Sequence, residues 1–196
     1  MNQSLAALSQ SISHLVGVAA PLLSAIRIAP NRHLTGLVCE GGVIVTTDQE
    51  LPALDAYTVV LPGGHLAAAR PGPRDTDRNL ALLRLETAWP VVNLATAAVS
   101  VGSMAVVVGA DADASPTVRL TTVHRVLRTV DGPAPVLDLS DTRLDPGGLV
   151  LDVEGRLIGL AAFGRNGEAV AISGAVIGRM LMPSLSLVSS QAGMPQ

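Results

Sequence analysis

The stretch LDPGGLVLDVEGRLIGL, residues 144 to 160, holds two short apolar runs, GLVL and RLIGL, separated by a turn. Gly155 in VEGR supplies the positive φ that a tight reversal needs, and the Pro-Gly-Gly ahead of the first run makes a second turn. The stretch therefore reads as a turn leading into a β-hairpin. The same grammar extends outward in both directions. Thirteen short β-rich runs follow one another from LLSAIRIA, which starts at residue 22, to EAVAIS, which ends at residue 173. PGGH (62 to 65) and RNGE (165 to 168) punctuate them with further glycine turns, and no long helical pattern intervenes. That spacing predicts an all-β sandwich or a pair of barrels.

Helical spacing is confined to the two ends. Leu5, Leu8, Ile12, Leu15 and Val16 recur on one face between Ser4 and Gly17, which predicts one amphipathic helix. SGAVIGRML, 173 to 181, predicts a short C-terminal helix, and SLSLVSSQAGMPQ after it a frayed tail. A change of composition near residues 94 to 103 marks a linker between two β units of similar size. The expected organisation is an N-terminal helix over 1–20, a first barrel over 21–98, a second barrel with its closing helix over 99–182, and a tail over 183–196.

Composition narrows the function classes. A chain of 196 residues buries a core without staples, and the single cysteine, Cys39, rules out an internal disulfide framework and reads as a small apolar core residue. All 13 basic residues are arginine; against 16 acidic residues they leave a net charge of −3 with no long run of either sign. Nucleic acid is not an expected partner. Tyr57, Trp89 and Phe163 are the only aromatic rings besides histidine, so the core is aliphatic and no stacking platform exists. No positive residue precedes Arg27, and Ser, His14 and Pro21 interrupt the N-terminal apolar run. Neither a signal peptide nor a membrane span is expected, which leaves the cytoplasm as the default compartment. No metal-ligand spacing or cofactor motif is present, so no cofactor is expected.

Five pieces in order carry a family resemblance. TGLVCEGGVIVTTDQEL resembles the segment that delivers the catalytic histidine in HtrA/DegP-type trypsin-like serine proteases. TDRNLALLRLE resembles the segment that delivers the aspartate, and SVGSMAVVVGA the opening of the second barrel. LDPGGLVLDVEGRLIGLAAFG is similar to the nucleophile segment, G-N-S-G-G-P-L followed by a glycine-bearing strand, and EAVAISGAVI to the strand before the closing helix. The resemblance covers nearly the whole chain from residue 15 to 182 and implies two packed six-stranded barrels with a cleft between them. Only 14 residues, 183 to 196, follow the closing helix, so no PDZ domain of the kind common in that family is expected.

Carried over residue by residue, the resemblance puts Gln49 at the histidine, Asn79 at the aspartate and Pro146 at the serine. Leu144 falls on the glycine whose amide is the second oxyanion donor, and Asp145, Gly147 and Gly148 complete the former oxyanion loop. Acyl transfer by a triad needs a nucleophilic oxygen, a base and an orienting carboxylate. Glutamine has no useful basicity, the asparagine amide carries no charge, and proline lacks both the hydroxyl and the backbone N–H. The bland reading of Gln49 and Asn79 is a hydrogen bond to each other or to solvent, and of 145 to 148 a plain tight turn. His33 and His65 each lie 16 residues from Gln49 and cannot shift onto the strand end without breaking its alternation. His124 and the pair Ser140 and Asp141 form no constellation with them.

The implied class is a non-catalytic pseudoprotease acting as a protein-binding scaffold or regulatory subunit. Its partner would be another protein, such as an enzyme complex or an active paralogue. A peptide-binding or holdase-like module using the former cleft is the alternative, and a hydrolase with a relocated site is the third class. The N-terminal helix either packs its stripe on its own barrel or docks a partner, and packing is the expectation.

Overall fold

Apolar runs bounded by glycine turns become twelve strands in the computed structural model, among the described residues 2–87, 89–90, 94–139 and 144–191. The first six are β1 (Leu23–Ala29), β2 (Arg32–Cys39), β3 (Val43–Thr46), β4 (Tyr57–Leu61), β5 (His65–Asp75) and β6 (Leu80–Leu85). They close an antiparallel barrel in the order β1-β2-β3-β6-β5-β4. The last six are β7 (Met104–Ala110), β8 (Pro116–Thr129), β9 (Gly132–Leu137), β10 (Leu149–Leu151), β11 (Leu157–Phe163) and β12 (Ala169–Ser173). These close a second barrel in the order β10-β11-β12-β9-β8-β7. Closure leaves neither barrel with a free edge along its full length.

The predicted double barrel is the observed one, and so are its turns. Gly63, Gly155 and Gly167 take φ of 79°, 80° and 80° in PGGH, VEGR and RNGE. Two differences concern strands. The expected run VVNLA forms no strand among the described residues: 91 to 93 lie outside them, and beyond them Thr96 makes a single isolated bridge to Leu157. The run VLDLS is displaced, because β9 begins at Gly132 and carries Pro133 and Pro135.

Strands β3 and β10 are buried along their whole length and β6 and β7 along most of theirs, and the reason is a core in three parts. Ile26, Ile44, Leu61, Ala81 and Leu83 fill the first barrel. Ala105, Val107, Val150, Ala161 and Ala171 fill the second. Between the barrels lies a third layer with Val43, Val45, Leu80, Leu82, Val106, Val108, Leu149 and Leu151. Successive residues of β3, β6, β7 and β10 thus point alternately into a barrel and into the seam between barrels, so apolar side chains are wanted on both faces.

The two helices differ from expectation in extent. Helix α1 (Asn2–Ala19) leads into a 3-10 turn at Ala20–Leu22, and α2 (Gly174–Gln191) continues well past the predicted end at Leu181. A proline at 183 withdraws one amide from the ladder without ending the helix. The stripe of α1 packs on the barrels only in its second half: Leu15 and Ala19 are buried in the seam, while Leu5 is 65% and Leu8 41% exposed. Residues Ser4–Leu22 have a mean hydropathy of 1.3, which by length and composition alone suffices to cross a membrane. With Leu15, Ala19 and Leu22 packed in the seam, only the first part of that segment projects from the body.

Candidate functional site

Barrel one contributes its part at the ends of β3 and β6. Beyond β3 the chain bends at Asp48, whose buried carboxylate accepts a charge-assisted hydrogen bond from Arg74 Nε in β5. Arg74 Nη2 also donates to the carbonyls of Asp48 at 3.2 Å and Leu51 at 2.8 Å, so one guanidinium fixes the bend. Gln49 stands exposed on it. Facing it, Asn79 ends the turn before β6 in the left-handed region at φ 55°, which asparagine tolerates better than most residues. Its carbonyl accepts the Asp48 amide at 3.2 Å, and its Oδ1 accepts the Gln49 amide at 2.7 Å. Asn79 Nδ2 in turn donates to Gln49 Oε1 at 3.3 Å.

The structure therefore brings Gln49 and Asn79 together across 30 residues of sequence, as a neutral amide pair. Neither side chain carries a proton that titrates near neutral pH. The pair borders a pocket of about 300 Å3 lined by Asp48, Thr76, Asp77, Phe163, Gly164 and Arg165 besides the two amides. Among the described residues no histidine, cysteine or serine lines it. His33 Nε2 instead lies 2.9 Å from the Ala110 carbonyl, His65 meets the Trp89 ring at 5.8 Å between centroids, and His124 is exposed on β8. Ser140 and Asp141 lie outside the described residues.

Barrel two contributes the segment ahead of β10. Leu144 is buried in the barrel interior with Ala105, Val107 and Val150. Asp145 accepts the Thr117 hydroxyl at 2.9 Å and lies 3.7 Å from the Arg119 guanidinium. The Gly148 amide donates to the Asp145 carbonyl at 2.9 Å, which closes a four-residue turn with Pro146 and Gly147 at its centre. With proline second and Gly147 third at φ 82°, the turn is of type II. The bland sequence reading of a tight turn is met.

This turn is also clamped between the barrels. The Thr35 amide in β2 donates to the Pro146 carbonyl at 3.1 Å, and the Gly147 amide donates to Ala161 in β11 at 2.8 Å. Thr35 is itself held by the Thr46 hydroxyl on its carbonyl at 2.7 Å and by the Ala110 amide on its own hydroxyl at 3.0 Å. A Cβ on Gly147 would stand 1.9 Å from the Thr35 carbonyl oxygen, so only glycine fits. Pro146 offers no amide, and the amides of Gly147 and Gly148 are both directed at protein carbonyls. Pro146 does not line the amide-pair pocket.

Cys39 packs at the edge of the seam, where burial pushes its thiol up to about 12. Among the described residues no cluster of three histidine, cysteine or acidic side chains stands ready for a metal ion.

The family described as the trypsin-like peptidase domain matches residues 34–160, well over half of the chain. The chain belongs to that family. Its structure is similar to the MamO protease domain from Magnetospirillum magneticum in the apo form, with a TM-score of 0.68 at 19% identity. That likeness covers 84% of this chain and 97% of the other. It is equally similar to the inactive form of the Rv3671c protease, with a TM-score of 0.68, 18% identity and coverage of 86% and 91%. At such identities the likeness is one of fold. None of the curated proteins matches the chain. The trypsin-like fold accounts for the pairing of two barrels, and the residues that hold the amide pair, its pocket and the Pro146 turn but were not singled out in the sequence are Thr35, Asp48, Arg74, Phe163 and Arg165.

Proposed function

We propose that this trypsin-like chain is a catalytically inactive family member that acts through protein binding, as a scaffold or regulatory subunit. The observation that carries the reading is the amide pair of Gln49 and Asn79, aligned with the family's base and its orienting carboxylate. An amide facing an amide neither accepts a proton from a nucleophile nor stabilises a developing imidazolium. The turn at Pro146 supports the same reading from the other barrel, because the residue aligned with the nucleophile has neither hydroxyl nor amide. The loss of one oxyanion donor is worth about a hundredfold in rate, and here it adds to the loss of all three reacting groups.

A peptide-binding use of the cleft is the second reading. It is favoured by the end of β11: β10 pairs with β11 no further than Leu160, and Gly147 and Gly148 extend the pairing only to Ala161. Ala162 and Phe163 then run beside the pocket with β12 as their neighbour, which suits an added strand. The test of inactivity is direct. Purified protein incubated with casein and with a fluorophosphonate probe is expected to show no hydrolysis and no labelled serine by mass spectrometry; stoichiometric labelling at any serine overturns the reading.

A further inference from the structure

A groove of about 450 Å3 adjoins the amide-pair pocket, and Asp77 and Arg165 line both. The hairpin of β8 and β9 forms one wall, and the floor is apolar, with Ala134, Val170, Ile172 and Val176. Its charges are not balanced. Arg78 is engaged by Asp75 at 2.7 Å and Asp131 at 2.8 Å, and Arg179 lies 3.7 Å from Asp131, so those two aspartates are already matched by cations. Arg128 and Arg165 stand exposed on the rim with no acidic partner among the described residues. Among the described residues Asp77 is the one lining carboxylate left to set against them. A chain of net charge −3 thus sets two guanidiniums that form no ion pair among the described residues, against one free carboxylate, around an apolar floor.

We infer that this groove takes an extended, acidic segment of a partner protein. The inference rests on the protein-binding reading above and adds the chemistry of the partner. An extended chain alternates its side chains, so apolar residues cover the floor while neighbouring carboxylates reach the rim. Guanidiniums with no internal partner present their full donor fork to such carboxylates. A free anion would meet the arginines and leave the apolar floor uncovered, whereas a basic segment would oppose both rim cations.

The test uses the full chain and fluorescence anisotropy with three short labelled peptides that alternate valine with glutamate, glutamine or lysine. The glutamate peptide is expected to bind saturably, the glutamine peptide about tenfold more weakly and the lysine peptide not at all, with the preference fading as salt rises. Reversing both rim charges, Arg128→Glu with Arg165→Glu, is expected to weaken the glutamate peptide by about tenfold or more and favour the lysine peptide. Both residues are exposed, and an unchanged melting curve checks that the variant folds. Arg27→Glu, on the outside of barrel one, is expected to leave binding unchanged. Equal binding of all three peptides, or binding of none, overturns the inference. Cleavage of any peptide, followed by mass spectrometry in the same samples, overturns instead the reading of an inactive protein on which it rests.

Discussion

Gln49 and Asn79 in barrel one stand on a frame built mainly by other residues, whereas Pro146 in barrel two sets the course of the frame itself. Around the amide pair the backbone is held by Arg74, through Asp48 and Leu51, and by the carbonyl of Asn79. The Gln49 side chain projects from that scaffold, and Asn79 adds one bond to it through its Oδ1 on the Gln49 amide, a bond that an aspartate carboxylate at 79 would also accept. At 144 to 148 the identities set the backbone: proline fixes φ, Gly147 supplies the left-handed residue, and Leu144 anchors the segment in the barrel. A change of side chain there is a change of main-chain course. On the proposed reading of an inactive family member, the two barrels differ in how reversible the changes at these positions are.

The largest effect expected from this contrast is at the clamp. Gly147→Ala meets the Thr35 carbonyl and places a side chain at φ 82°, and it is expected to cost more than about 3 kcal/mol in urea unfolding or to prevent folding. Gly167→Ala shares a φ of 80° but faces open space, and is expected to cost only about 1 kcal/mol. Equal costs at the two positions would break the clamp. In barrel one the sensitive group is beneath the pair. Asp48→Asn removes the buried partner of Arg74 and is expected to cost about 1–3 kcal/mol, whereas Glu50→Gln, in an exposed pair with Arg32, is expected to cost less than about 0.5 kcal/mol. Both follow from chemical denaturation at neutral pH.

The smallest effect concerns the turn that leads to Asn79. The hydrogen bond from the Arg78 guanidinium holds the Asp75 carboxyl below its ordinary 3.8, aided by the Arg78 amide. A carboxylate with a lowered folded value stabilises fully above its unfolded value and loses that contribution as the pH falls through the folded one. Asp75→Asn is therefore expected to lower the melting temperature slightly at neutral pH and not at all well below pH 3.8. The pair is partly exposed, so salt is expected to shrink the difference.

Much of the fold was legible because its signals are local. The glycine turns at 62–65, 153–156 and 165–168 set the hairpins, and the aliphatic runs between them needed no partner to be read as strands. The meeting of Gln49 with Asn79 was open from the family's spacing as one of two bland outcomes, and the structure selects it. What stayed hidden depends on long-range pairing. Nothing near TDQE announces that Asp48 is buried under an arginine 26 residues away, and nothing in TGLV announces that Thr35 ties β2 to both β7 and the Pro146 turn. The exposed start of α1 was equally hidden: its apolar spacing is continuous from Leu5 to Val16, and only the positions of the barrels decide where the packing stops.

The central claim is that the chain lacks peptidase chemistry and that barrel two, not barrel one, makes the loss hard to reverse. The most direct measurement is hydrolysis of an unstructured protein by the triple variant Gln49→His, Asn79→Asp, Pro146→Ser, beside a quadruple variant that adds Leu144→Gly. The account predicts no protease activity in the triple variant, because serine at 146 returns a hydroxyl and an amide while Leu144 still anchors the segment in the barrel interior. A displacement of about 1 Å at such a site costs on the order of a hundredfold in rate. A folded triple variant that cleaves at rates typical of a protease would contradict the account, because the cleft would then have stayed organised for catalysis.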